Sequence, residues 1–168
     1  IAFHLCEGVL AGDAAVAAEA AVVGAEEALR SAAPEEARDL AMRALEVLDD
    51  GGVDCPDLRC RALLVLGEGS AMLGVDVARS RANILEAAEL ARDHGWSELA
   101  VRAAIVYAAV RTPGTSDPTA AALAHAALEL GAGPEWRPAL LTISCTCSTR
   151  SGARPSTVSI ARPFACGA

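Results

Sequence analysis

The 168-residue chain predicts an all-α fold: an α-solenoid of stacked antiparallel helix hairpins, about seven helices, followed by a disordered C-terminal tail. Three observations lead there. Apolar residues make up 53% of the chain but aromatic ones only 3%, so a core has to be built from Ala, Leu and Val. Small side chains let helix axes approach closely, and alanine is the best helix former. Apolar residues also recur at helical spacing between proline starts and glycine stops. Finally, alternate helices are expected to begin near residues 13, 57, 97 and 134, at intervals of 44, 40 and 37 residues. Periods of this size mark helical hairpins that stack because none can bury its apolar face alone.

The first helix is expected from about Asp13 to Arg30, and the second from Pro34 to the Gly51-Gly52 pair. In the second, Ala37, Leu40, Ala41, Ala44, Leu45 and Leu48 share one face, with Glu35, Glu36, Arg38, Asp39, Arg43 and Glu46 on the other. A third helix, about Asp57 to Leu73, aligns Leu58, Ala62, Val65, Leu66, Gly69 and Leu73, while Leu63 and Leu64 carry the apolar surface round the side. That surface is too wide for one neighbour. A fourth, about Val77 to His94, buries Ile84, Ala87, Ala88 and Ala91 and stops at Gly95. Ser97 is positioned to cap a fifth helix from Glu98, with Trp96 packing on Val101 as a staple, and the TPGTS stretch ends it. Asp117 and Pro118 open a sixth helix ending at Gly131, and a seventh begins near Pro134.

After Leu141 the pattern changes. Residues 142–168 hold no acid, many Ser and Thr, and three of the six cysteines, which divides the chain into a helical domain at 1–141 and a low-order tail at 142–168. The abrupt loss of alanine-rich patterning suggests a frame change or truncation of the coding sequence.

Charge and composition exclude several functions. All fourteen basic residues are arginine, so neither a lysine Schiff base nor the lysine of a phosphate-binding P-loop can be written here. Residues 1–135 carry 22 acids against 10 arginines, a net −12 that repels nucleic acid. The apolar runs at 14–25 and 99–110 fall well short of the ~20 residues that span a bilayer, so a cytoplasmic protein without membrane contact is expected. The chain opens on Ile1 with no basic leader and reads as a fragment. Cysteines 6, 55, 60, 145, 147 and 166 lack the CxxC spacing of a zinc site and are read as reduced thiols. His4, His94 and His125 are far apart, and no GxSxG elbow is present. Adjacent acids such as Glu26-Glu27 point different ways and are read as solvated surface. No catalytic, cofactor or metal residue is expected.

The run LLVLGEGSAMLG at 63–74 places three glycines in a helix, each costing roughly 1 kcal/mol relative to alanine. Leu66-Gly67 with Gly74 seven residues later resembles the first helix of a tetratricopeptide repeat, and Ala37, Ala41 and Ala44 resemble the small positions of its second helix. The resemblance implies a right-handed superhelix, with Gly67 admitting a close neighbour and Gly74 turning the chain. Gly69 is read as easing the same contact. The bulky aromatic positions of that repeat are mostly absent, and its period of 34 is exceeded.

At larger scale, IAFHL, EEALRSAAPEEARDLAMRALEVL, DLRCRALLVLGEGSAMLG and ILEAAELARDHG, in that order, resemble the helical region of large bacterial regulators. These carry an N-terminal STAND-type ATPase and a C-terminal LuxR-type helix-turn-helix. The likeness covers residues 1–141 and implies a non-catalytic sensor and interaction scaffold that grips a protein or peptide, or the other domains of its parent chain. Neither the nucleotide nor the DNA residues of that family have counterparts here. The same region fused to a nucleotidyl cyclase, or a free-standing adaptor, would read alike.

Overall fold

A computed structural model describes residues 14–110 and 117–148, and among them every regular element is a helix. These are α1 (Ala14–Arg30), α2 (Pro34–Asp50), α3 (Pro56–Leu73), α4 (Val77–Asp93), α5 (Ser97–Ala109), α6 (Pro118–Glu129) and α7 (Arg137–Ser148). The odd helices begin 42, 41 and 40 residues apart, and the even ones 43 and 41. The observed period is therefore tighter than the 44, 40 and 37 expected.

Local chemistry explains most boundaries. Proline stands in the first turn of α2, α3 and α6, where its missing N–H leaves nothing unpaired. Asp76 caps α4 by accepting from the Arg79 amide at 3.2 Å, and Asp117 caps α6 through Thr119 and Ala120. Ser97 is not the cap it was expected to be: α5 begins on Ser97 itself, and Trp96, the capping residue, offers no side-chain hydrogen bond. Trp96 instead stacks on His94, with ring centroids 4.5 Å apart, and packs on the core.

Five helices end in one repeated turn. Ala33, Val53, Val75, Trp96 and Ala132 each donate their amide to the carbonyl five residues back. The residue before each donates three residues back and lies in the left-handed region: Ala32, Gly52, Gly74, Gly95 and Gly131. This is the Schellman arrangement, which satisfies the last carbonyls of a helix and favours glycine at the left-handed position. Four of the five turns have it; the first holds alanine.

Each helix packs on the next in sequence. In addition α1 touches α3, α3 touches α5, and α5 touches α7, so the odd helices form one layer. Among the even helices α4 and α6 barely meet, and α2 makes no contact with α4. Helix α3 is the centre: Leu63 and Leu64 belong to a large core shared with α4–α7, while Leu58, Ala62, Val65 and Leu66 join cores with α1 and α2. A helix apolar on nearly every side is one with neighbours on nearly every side.

The tail boundary moves. α7 continues through Ser148, seven residues beyond the Leu141 limit expected from composition, with Leu140, Ser144 and Cys147 buried. Its hydroxyls are absorbed rather than disruptive. Thr142 and Thr146 donate to carbonyls four residues back, at 2.8 and 2.9 Å, and Ser144 meets His125 Nε2 at 2.8 Å across the α6–α7 contact. The disordered or frame-shifted tail otherwise expected lies at 149–168, outside the described residues.

Candidate functional site

The repeat positions singled out by the sequence are packing positions and converge on no cleft. Ala37, Ala41 and Leu66 are buried in one core with Ala25, Ala28, Leu40 and Val65; Ala44 lies in the next with Ala18, Ala21, Val22 and Leu48. Gly67 faces α4: a methyl group there would stand 2.5 Å from Ile84 Cγ1 and 3.2 Å from the Ser80 carbonyl. The Ser80 hydroxyl uses this closeness, donating to the Gly67 carbonyl at 2.7 Å. Gly69 does not share that contact. Two residues on, it points to the far side of α3, where a methyl would meet Arg38 Cγ at 2.9 Å and the Pro34 carbonyl at 3.1 Å on α2. Two glycines thus admit two different helices. Gly74, with φ +66°, turns the chain.

Glu26, read as solvated surface, lines a charged cleft that spans several of the described helices. The cleft encloses about 410 Å³ and is lined by Glu26, Leu29 and Arg30 of α1, Glu68 of α3 and Arg102 of α5. Arg61 of α3 grips Glu26 with two nitrogens, Nη2 to Oε2 at 2.6 Å and Nε to Oε1 at 3.2 Å. Arg102 reaches Glu68 with Nη2 at 3.1 Å and Glu26 with Nη1 at 3.4 Å. Partial burial by itself would raise the Glu26 pKa, but the hydrogen bond and charge of Arg61, followed by those of Arg102, outweigh it and hold the carboxyl below its ordinary value.

This network follows the repeat. Arg61 stands five residues after the start of α3 and Arg102 five after the start of α5, while Glu26 and Glu68 stand twelve after the starts of α1 and α3. An arginine early in one odd helix therefore reaches a glutamate late in the preceding one, twice. The signal was present in the sequence as Glu26/Glu68 and Arg61/Arg102 at the repeat spacing, and adjacent-residue reasoning about Glu26-Glu27 passed over it.

Other polar groups join helices. Arg81 of α4 lies over the Tyr107 ring at 4.5 Å, donates to its hydroxyl through Nε at 3.1 Å and pairs with Asp117, tying α4, α5 and α6 together. The Cys60 thiol donates to the Ala87 carbonyl at 3.2 Å, and burial, with the nearby Asp57 charge, pushes its pKa up to about 12. Such a thiol is a poor nucleophile. Among the described residues no group of three or more His, Cys, Asp or Glu is placed to hold a metal ion, and no helix is long and apolar enough to cross a membrane. No protein-family model, curated protein or solved structure matches the chain.

Proposed function

We propose that the chain is a non-catalytic interaction scaffold: a right-handed, tetratricopeptide-like solenoid whose odd helices form the inner, concave side. The observation behind this reading is the asymmetry of contacts, with successive odd helices touching while α2 and α4 stand apart. In a stacked array the closer layer is the inside of the curve, and such concave layers offer extended surfaces to a protein or peptide. The charged cleft opens among these same odd helices.

On this reading the segment is cytoplasmic, binds neither nucleotide nor duplex DNA itself, and belongs to an ATP-dependent LuxR-type regulator. The gene on either side tests the last point. A P-loop lysine encoded upstream and a helix-turn-helix downstream are expected; a cyclase domain or an immediate start codon would point to the other parents.

Peptides selected by display on the full chain test the scaffold reading. Arg30→Glu, at the exposed lip of the cleft, should weaken a selected peptide about tenfold, or ~1.4 kcal/mol. Glu46→Arg on the outer face of α2 should leave it unchanged. Failure to select any peptide, or sensitivity confined to Glu46, would remove the proposal.

A further inference from the structure

We infer that Arg102 is a latch that sets the distance between the first and third helical hairpins, and with it the width of the charged cleft. Helices α1 and α5 have no backbone contact, yet Arg102 joins them across 76 residues of sequence by way of Glu26. The neighbouring joints are different: α1 packs directly on α3, and α3 directly on α5. Removing an ion pair from a joint that is also packed lowers stability and leaves the geometry to the core. Across the α1–α5 gap, which no backbone contact closes, the Glu26–Arg102 ion pair is a direct link.

The two arginines also differ in grip. Arg61 holds Glu26 through two nitrogens, at 2.6 and 3.2 Å, in the side-on arrangement that fixes orientation. Arg102 divides itself, one nitrogen to each of two carboxylates at 3.1 and 3.4 Å, with its side chain 30% exposed. The longer, divided contact is the one that lets go first. Because Glu26, Glu68 and Arg102 all line the cleft, a charged group entering it competes directly for this contact. The latch concerns the geometry of the chain alone and stands or falls without any partner.

Spin labels on keto side chains introduced at exposed positions Glu19 of α1 and Glu98 of α5 report the gap by pulsed electron resonance. Arg102→Met keeps the aliphatic stem and removes the charge; its distance distribution should move outward and broaden while helicity and cooperative melting persist. Arg61→Met should lower the melting temperature with the mean distance unchanged. High salt provides a second reading on the unmutated side chains, since at about 1 M the screening length is ~3 Å and the partly exposed contact weakens. The same lengthening is expected there. An unchanged distance in Arg102→Met or in high salt, or an equal shift in Arg61→Met, would overturn the inference.

Discussion

Ala32→Gly should stabilise the protein. Ala32 has φ +56°, in the left-handed region, within a turn that is closed by the same two hydrogen bonds as its four glycine-containing counterparts. A Cβ in that region costs roughly 1–2 kcal/mol. Glycine returns about 0.5–1 kcal/mol of this as extra freedom in the unfolded chain. The net expectation is a gain of about 0.5–1 kcal/mol, or ~2–3 °C in melting temperature for a domain of this size. Urea unfolding followed by circular dichroism measures it, with the reciprocal Gly95→Ala as partner. At Gly95 (φ +71°) nothing lies within 4 Å of an added methyl, so its loss of about 1 kcal/mol would come from the backbone alone. A loss of stability in Ala32→Gly, or no loss in Gly95→Ala, would refute the repeated-turn account.

Three further outcomes follow from the packing and the charges. Gly67→Ala should destabilise by about 1 kcal/mol, since overpacking against Ile84 and the Ser80 carbonyl at ~1–3 kcal/mol exceeds the helix-propensity gain; the penalty should shrink in an Ile84→Ala background, as measured by a double-mutant cycle. Glu26→Gln should cost about 1–2 kcal/mol at neutral pH, between exposed and buried pairs. Because the folded Glu26 pKa is depressed, its contribution is present above the ordinary carboxylate range and lost as pH falls through the lower folded value, so wild type and variant should converge in acid. Cys60 should resist a thiol reagent at pH 8 and react only on unfolding, because its thiol pKa near 12 keeps it protonated and its sulfur is buried.

How far the fold could be read from the residues depended on how local each cause was. Pro34, Asp117-Pro118, Gly52 and Gly74 act within a few residues, and the helices they bound lie close to where they were expected. Of the α2 stripe, Ala37, Leu40, Ala41, Ala44 and Leu48 are buried as its periodicity requires, and Leu45 is partly buried at its edge. The Ser- and Thr-containing α7 misled because hydroxyl composition reads as loop until the back-bonds of Thr142 and Thr146, and the Ser144–His125 contact, are visible. Gly69 shows the same limit on a smaller scale: sequence marks a close approach, and only the fold says that α2 makes it. The charged cleft was the least legible feature. Its ion-paired partners are 34 to 76 residues apart, and their partnership depends on how neighbouring hairpins superimpose.

The scaffold account rests on the odd helices being the working face, and hydrogen exchange on the full chain with and without a display-selected peptide addresses that directly. Slowed exchange in α1, α3 and α5, strongest around Glu26, Glu68 and Arg102, with α2 and α4 unchanged, is the predicted result. Protection confined to α2 and α4 would contradict it.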